Sequence, residues 1–354
     1  MSSLLDLARP EIKALQGYRA AEYEDGLIRL NANETPWPAP GDDYRLNRYP
    51  EERPLTLTKH LAAHYGIDRE RVLVTRGSSD AIDLLIRGFC SAGRDEIVIC
   101  TPTFGMYRVY ADIQGAALRE VPLIRDRGFA LNHQTLIDGW KPESKLLFLC
   151  SPNNPTGNRI PDTELDQLCT ALAGRGLVVV DAAYIEFADS DPTNWLLQQH
   201  DNVVVLRTLS KAFGLAGIRC GALLAQAEIV DLLERVLPPY AFPTLSLATA
   251  QRCLTQAGRE ELDKRIAMLT TERSRLAGEL SQLDAVTRVW PSEANFLLTE
   301  FKEPGRAITS ARQGGVLIRA FNEKAGLDSC MRITVGDTNQ NDQLLASLRD
   351  DEQR

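Results

Sequence analysis

Residues 177–181 read LVVVD, and residues 202–207 read NVVVLR. Each is a short run of β-branched and apolar residues that ends in a polar one, which is typical of a strand buried on both faces. Similar runs are RVLVT (71–75), EIVIC (96–100), KLLFLC (145–150) and GALLA (221–225). Helix-like stretches such as TELDQLCTALAGRG (163–176) lie between several of them. The alternation predicts an α/β fold in which a mostly parallel central sheet is covered by helices.

The chain changes character after PPY at 238–240. A long helical stretch from about 245 to 282 is followed by short strands and helices, which indicates a smaller α+β domain. A length of 354 residues also favours about two domains. We therefore predict a large domain over 31–239 and a small domain made of 1–30 and 240–354. In this interpretation an amphipathic N-terminal helix, broken near Pro10, packs on the small domain.

Composition excludes several classes of function. The formal net charge is −8 and there is no dense basic block, so a nucleic-acid partner is disfavoured. No apolar run is long enough to cross a bilayer, and the first residues do not resemble a signal peptide. Seven cysteines without a C-x-x-C pair are typical of free thiols in a reducing cytoplasm. His60 and His64 are four residues apart, but nothing nearby completes a metal-ligand set, so no metal site is predicted.

Polar groups follow the predicted strands, and ligands of such sheets lie at the carboxyl ends of the strands. The sequence GSS at 77–79 stands between a strand and a helix, where backbone N–H groups suit a phosphate, although the motif taken alone favours an ordinary N-cap, since Ser and Asp are standard helix caps. SPNNPTG (151–157) is a stiff loop that could aim Asn154 at a ligand, with Pro155 a candidate for a cis bond, or it could be a simple turn.

The stretch RTLSKAFGLAGIRCG (207–221) is the most informative part of the chain. Lys211 has apolar neighbours, so it is either a solvated loop charge or an amine with a lowered pKa. The hydroxyls of Thr208 and Ser210 and the guanidinium of Arg219 add candidate phosphate ligands. A separate strand ends in Asp181, whose buried carboxylate would need a cationic partner or water unless it caps the next loop.

Taken together, these motifs resemble a known family. The order of RGSSDAIDLL (76–85), SPNNPTG, VVVDAAY (178–184), TLSKAFGLAGIRCG (208–221) and MRITVG (331–336) is similar to that of the fold-type I aminotransferases, which depend on pyridoxal phosphate. The resemblance covers nearly the whole chain. LNANETP (30–36), LNRYPE (46–51), PTFGMY (102–107) and DAAYIEF (181–187) narrow it to the histidinol-phosphate aminotransferases.

The resemblance implies roles around pyridoxal phosphate. Lys211 would hold the cofactor as a Schiff base and shuttle the α-proton of the substrate. Asp181 would pair with the ring nitrogen, and Asn154 and Tyr184 would bond the phenolic oxygen. Phe104 would stack on the ring, where a tyrosine is common in the family. The phosphate would be held by Ser78, Ser79, Thr208, Ser210 and Arg219.

The resemblance also implies a substrate site and a partner. Tyr49 would reach the cofactor phosphate of a second subunit, so a homodimer with shared sites is expected. Arg332 would bind a substrate carboxylate, while Arg319 and Tyr18 would help bind a substrate phosphate. Asn33 and Asn295 lie in motifs near the substrate.

The implied reaction is a reversible transfer of an amino group in the biosynthesis of L-histidine. Glutamate and 2-oxoglutarate would form one pair of substrates, and L-histidinol phosphate and imidazole-acetol phosphate the other. An aromatic aminotransferase or a threonine-phosphate decarboxylase on the same scaffold is the alternative. A cofactor-binding regulator fused to a DNA-binding module is disfavoured, because only about thirty residues precede LNANE and the chain is acidic.

Overall fold

In the computed structural model, the described residues are 4–18, 20–22, 24, 26–321 and 326–352. They form two sheets with helices around each. The large sheet contains seven strands, which are β1 (Val72–Thr75), β2 (Glu96–Thr101), β3 (Ala117–Pro122), β4 (Ser144–Cys150), β5 (Leu177–Asp181), β6 (Val203–Thr208) and β7 (Gly221–Leu224). Their order across the sheet is β1-β7-β6-β5-β4-β2-β3.

The predicted α/β class is confirmed, and two details of the sheet differ from the prediction. The pairs β3–β2, β2–β4, β4–β5 and β5–β6 are parallel, whereas β7 is antiparallel to both β1 and β6. The sequence pattern also omits β3, whose residues ALREVP are mostly half-buried or exposed because this strand lies at the edge of the sheet. The antiparallel β7 starts, rather than ends, at the edge where the parallel strands end.

Helices cover both faces of the large sheet. The helices of the chain are α1 (Pro10–Lys13), α2 (Leu55–Tyr65), α3 (Ser78–Phe89), α4 (Met106–Gln114), α5 (His133–Asp138), α6 (Asp162–Ala171), α7 (Thr193–Gln199), α8 (Ala227–Glu234), α9 (Thr244–Cys253), α10 (Gln256–Leu280), α11 (Pro304–Gln313) and α12 (Thr338–Glu352). Val178 and Val180 pack with α2, α6 and α7 on one face, and Leu177 and Val179 pack with α3, α4 and α8 on the other. This alternation follows from the two-residue period of a strand.

The smaller sheet is antiparallel and follows the order β10-β11-β9-β8. Its strands are β8 (Val286–Val289), β9 (Phe296–Phe301), β10 (Arg319–Ala320) and β11 (Cys330–Thr334). Helices α10, α11 and α12 cover it and share a core with β9 and β11. The helical stretch expected over 245–282 is two helices, because the chain leaves α9 after Cys253 and Thr255 caps the start of α10 through its side chain.

The N-terminal segment differs from the prediction in its packing. A short 3-10 helix spans Leu4–Leu7, and α1 starts at Pro10 rather than being broken there. Leu4 and Ala8 pack among buried residues of α3 and α8, so this segment contacts the helical layer of the large sheet. The domain boundaries drawn from the sequence remain a prediction.

Two general features of the described residues complete the picture. No helix among them is both long and apolar enough to cross a membrane. All seven cysteines are free, and all except the half-buried Cys253 are buried, which agrees with the expectation of unpaired thiols.

Candidate functional site

A cavity of about 200 Å³ opens where β4, β5 and β6 end. Its wall combines hydroxyls, an amide, a carboxylate, an amine and two guanidinium groups. The lining residues are Ser78, Ser79, Phe104, Cys150, Asn154, Asp181, Ala183, Tyr184, Thr208, Ser210, Lys211, Arg219 and Arg332. The structure therefore brings together most of the residues that the motifs singled out, although these lie on segments up to 254 positions apart.

One end of the cavity is suited to an anion. Gly77 precedes α3 with φ of +80° and provides no side chain to cap the helix, so the ordinary N-cap considered above is not formed. Residues with a side chain rarely adopt this φ, which is why glycine is needed there, and a Cβ atom would also lie 2.7 Å from Nη2 of Arg219. The helix start, with its partial positive charge, and the Arg219 guanidinium thus meet at one place.

The hydroxyl groups of this anion-binding end are linked to each other. Arg219 Nη1 donates to Ser210 Oγ at 3.2 Å, and the backbone N–H of Ser210 donates to Thr208 Oγ1 at 3.1 Å. Gly221 allows the approach of the two segments, since a Cβ there would lie 2.8 Å from the carbonyl carbon of Gly77. Because β7 runs antiparallel to β6, Arg219, just before β7, lies at the edge of the sheet where β6 ends.

Asp181 stands at the end of β5, on the floor of the cavity, and only 2% of it is exposed. Burial raises the pKa of its carboxyl group to about 6, against lowering by hydrogen bonds from Tyr107 and from the backbone of Ala183. Tyr107 donates to Oδ2 at 2.8 Å, and the Ala183 N–H donates to Oδ1 at 3.3 Å. An uncompensated carboxylate at this depth is costly, so the site favours a cationic ligand group next to it.

Lys211 follows β6 and presents its amine to the same cavity. Its Nζ lies 5.5 Å from the centre of the Tyr184 ring. Partial burial lowers the pKa of the amine, and the positive charge of Arg332 adds to this effect. The apolar surroundings expected from the sequence are only partial: Phe213 is buried, Ala216 is exposed, and Lys211 as a whole residue is exposed although its amine is partly desolvated in the cavity.

A chain of hydrogen bonds runs along the side of the cavity. Arg332 Nη1 donates to Asn154 Oδ1 at 2.5 Å, and Asn154 Nδ2 donates to the Tyr184 hydroxyl at 3.3 Å. The Asn154–Pro155 bond is cis, as the sequence suggested. Arg332 on β11 lies opposite Arg319 on β10, and burial together with the charge of Arg319 lowers the pKa of Arg332. Two neighbouring cations, Arg332 lining the cavity and Arg319 on the adjacent strand, suit an anionic substrate.

Five of the expected site residues do not line the cavity. Tyr18 and Tyr49 are 66% and 52% exposed, and Asn33 is also exposed. Asn295 is half-buried and accepts a backbone hydrogen bond from Val335, while Arg319 is exposed beside Arg332. Their expected roles in substrate or partner binding remain predictions.

The sequence analysis missed three residues of the site. Cys150 and Ala183 line the cavity, and Tyr107 bonds Asp181 from behind it. Their signals were weak but present. Cys150 ends the run KLLFLC beside a strand end, and Tyr107 closes the motif PTFGMY three residues after Phe104.

Comparison with known proteins identifies the family. The family model of aminotransferase class I and II matches residues 28–348. The histidinol-phosphate aminotransferase of Xanthomonas euvesicatoria pv. vesicatoria is 42% identical over 353 residues, which are 98% of this chain and 97% of that protein.

Solved structures agree on the fold. The histidinol-phosphate aminotransferase of Clostridium acetobutylicum aligns with a TM-score of 0.79 and 21% identity over 87% of this chain and 92% of that one. The enzyme of the same name from Sinorhizobium meliloti, solved in complex with pyridoxal-5'-phosphate, aligns with a TM-score of 0.77 and 24% identity over 86% of this chain and 83% of that one. The resemblance inferred from the motifs is thus confirmed, and the chain belongs to the aminotransferase class I and II family.

Proposed function

We propose that the protein is a pyridoxal-phosphate-dependent aminotransferase that interconverts L-histidinol phosphate and imidazole-acetol phosphate with glutamate and 2-oxoglutarate as the other pair. The observation that carries the proposal is the composition of one cavity, where an amine, a buried carboxylate and an anion-binding end face the same space. The name of the relative at 42% identity supports this choice of substrate. The reaction would be a step in L-histidine biosynthesis.

The residues of the cavity fit pyridoxal phosphate. At the anion-binding end of the cavity, a phosphate could bind to hydroxyls, to a guanidinium and to the start of a helix that has no side-chain cap. A protonated ring nitrogen finds Asp181, which is buried and lacks a cationic partner within hydrogen-bonding distance in the described structure. A phenolic oxygen finds the Tyr184 hydroxyl and the Asn154 amide, which already contact each other.

The chain's own groups then have distinct tasks. When bound, pyridoxal phosphate supplies an aldehyde that reacts with the substrate's amino group and a ring that withdraws electrons. Together they acidify the C–H bond of the substrate carbon that bears the amino group. Ser78, Ser79, Thr208, Ser210 and Arg219 would hold the phosphate, and Phe104 would pack against the ring. The carboxylate of Asp181 would keep a proton on the ring nitrogen.

Lys211 would be the covalent anchor and the acid–base group. Its lowered pKa raises the fraction of neutral amine, which is the form that attacks a carbonyl group and accepts a proton. Once substrate has displaced it, the same Nζ would take a proton from the substrate carbon that bears the amino group and deliver it to the carbon that had been the cofactor's aldehyde, which is the proton shift that amino transfer requires. The Tyr184 ring, 5.5 Å from Nζ, would limit where the amine can move.

A direct test is to follow the visible absorbance of the protein loaded with pyridoxal phosphate. The band should disappear on addition of glutamate or of histidinol phosphate, and 2-oxoglutarate should restore it. A response to phenylalanine but not to histidinol phosphate would contradict the choice of substrate and favour an aromatic aminotransferase. Release of carbon dioxide from threonine phosphate would favour a decarboxylase.

The paired arginines Arg332 and Arg319 are expected to bind different substrates. Arg332→Leu should raise KM for glutamate by about 100-fold, because a charge-assisted, forked contact to a carboxylate contributes about 2–3 kcal/mol. Arg319→Leu is the matched control, since it removes the cross-strand neighbour of the same charge. It should mainly raise KM for histidinol phosphate. Steady-state kinetics with both substrates test this, and equal changes in both variants would contradict the assignment.

We also infer that the protein is a homodimer with shared active sites. The segment before α2 has no strand in its described part and exposes several large apolar side chains, namely Leu27, Ile28, Leu30, Trp37 and Tyr44. Such a surface is typical of a contact with another chain, and Tyr49 lies at its end. The free thiols suit a reducing compartment, and we infer a cytoplasmic location.

The shared site predicts complementation between two defective subunits. Tyr49→Phe should weaken pyridoxal-phosphate binding about tenfold by removing one phosphate contact, without changing the mass measured by light scattering. A hybrid of Tyr49→Phe and Lys211→Ala subunits, purified through two different tags, has one site with both Lys211 and a partner's tyrosine. That hybrid should regain one tight, active site per dimer. If Tyr49 acts within its own subunit, no site is restored.

A further inference from the structure

Tyr107 is a buried phenol directly behind the floor of the cavity. It lies near the start of α4, is 0% exposed and does not line the cavity. Its hydroxyl donates to Asp181 Oδ2 at 2.8 Å. A buried hydroxyl needs a hydrogen-bond acceptor, and a backbone carbonyl would be enough. Here the acceptor is a buried carboxylate, which itself needs donors to offset the cost of its burial.

The ring of Tyr107 is held firmly. It stacks on Phe148 of β4 with ring centres 5.0 Å apart and planes 20° apart. It also meets Phe104 edge-on, at 5.7 Å and 86°. Tyr107 therefore contacts three groups that line the cavity, the carboxylate of Asp181, the thiol of Cys150 and the ring of Phe104, while it does not line the cavity itself.

The hydrogen bonds of Asp181 explain what this contact does. A carboxylate can rotate about its Cβ–Cγ bond, and here two donors hold different oxygens. The N–H of Ala183 reaches Oδ1 only at 3.3 Å, so the shorter bond from Tyr107 to Oδ2 is the stronger constraint. A phenol also donates without adding charge, so it does not neutralise the carboxylate as an arginine would.

We propose that Tyr107 is a positioning residue that fixes the Asp181 carboxylate in the orientation needed to pair with the ring nitrogen of the cofactor. The proposal rests on the proposed function, since it requires pyridoxal phosphate in the cavity. The competing explanation is that Tyr107 is an ordinary core aromatic. The two explanations predict different effects of removing the hydroxyl. A positioning role affects only the interaction with the cofactor's ring nitrogen, whereas a core role affects the stability of the whole protein.

The chain offers a matched control in Tyr65. It is also buried, at 7% exposed, and among the described residues its hydroxyl has no hydrogen-bond partner. Its ring packs over the Arg207 guanidinium at 4.7 Å, outside the cavity. Tyr107→Phe and Tyr65→Phe remove the same atom from the interior, so a general effect of losing a buried hydroxyl should appear in both.

The test compares two cofactors by their dissociation constants. One is pyridoxal phosphate, and the other is its analogue with a C–H in place of the ring nitrogen. Tyr107→Phe should weaken binding of pyridoxal phosphate by about tenfold, the effect of a hydrogen bond to a charged group, and leave binding of the analogue unchanged. Tyr65→Phe should change neither. Equal weakening of both cofactors in Tyr107→Phe, or no weakening, would overturn the proposal.

A double-mutant cycle provides a second measurement. In an Asp181→Asn background, Tyr107→Phe should have less than half of its effect on pyridoxal-phosphate affinity, because the two groups act as one unit. Additive effects would overturn the proposal. If the wild-type protein bound no pyridoxal phosphate, the proposed function would fail as well. Normal wild-type binding with additive variants would overturn only the role of Tyr107.

Discussion

Lys211→Ala should lower the rate of amino transfer by at least about 10⁴-fold, which is the upper range for a single acid–base group. The variant loses the amine that would anchor the cofactor and move the substrate proton. No other amine lines the cavity in the described structure, so no side chain there can replace it. Single-turnover absorbance changes with glutamate measure the loss at the chemical step.

Two controls separate chemistry from folding. The variant should still bind pyridoxal phosphate, because the anion-binding end and Asp181 are intact. Added methylamine should restore part of the rate, since a small amine can enter the space left by the side chain and accept the proton. Full activity without added amine would refute the role of Lys211.

Asp181→Asn should lower the rate by about 10³-fold, as expected when a preorganised charge next to the reacting group is removed. A neutral amide cannot keep a proton on the ring nitrogen, so the ring withdraws electrons less strongly. The amide has nearly the same size and can still accept from Tyr107. The loss should therefore appear in kcat more than in the melting temperature of the loaded protein.

The same substitution should stabilise the folded protein when the cofactor is absent. Burial raises the pKa of Asp181 from 3.8 to about 6, so the folded state binds the proton more tightly than the unfolded state. The stabilising contribution of this proton is fully present below pH 3.8 and is lost as the pH rises through about 6. Asparagine has no such loss. Asp181→Asn should therefore gain stability relative to the wild type as the pH increases.

The gain can be measured by urea unfolding of both proteins without cofactor. Between pH 4.5 and 7.5 the free energy of unfolding of Asp181→Asn relative to the wild type should increase by about 2 kcal/mol. Saturating pyridoxal phosphate should reverse the order, because its ring nitrogen pairs with the carboxylate of the wild type alone. A difference that does not change with pH would show that the carboxyl group is not buried as described.

The fold and most of the cavity could be predicted from the sequence because buried parallel strands have a strong pattern. LVVVD and NVVVLR are continuous apolar runs, and polar groups cluster where such strands end. β3 was missed because an edge strand with half-exposed residues need not be apolar. The direction of β7 could not be read from GALLA, since side-chain pattern is independent of strand direction.

The remaining differences depend on long-range contacts. The packing of Leu4 and Ala8 on α3 and α8 depends on which apolar surface is free in the folded chain, and the sequence does not rank these surfaces. Tyr107 could be assigned to a buried helix face, but its partner became clear only when α4 was placed beside β5. The cavity of a single chain is not lined by Tyr18, Asn33 or Tyr49. The structure of one chain therefore does not test their predicted roles in binding.

The reversal of β7 has a consequence for the order of events during synthesis. β1 pairs with β7, so Thr75 lies opposite Gly221 although 146 positions separate them along the chain. The anion-binding end of the cavity is therefore closed by a contact of very long range, and such contacts form slowly because a large loop must close. A nascent chain shorter than 219 residues lacks both Arg219 and β7. If pyridoxal phosphate binds at this end as proposed, its uptake requires at least 219 of the 354 residues to have been made, and its phosphate would then link the segments next to the first and last strands of the large sheet.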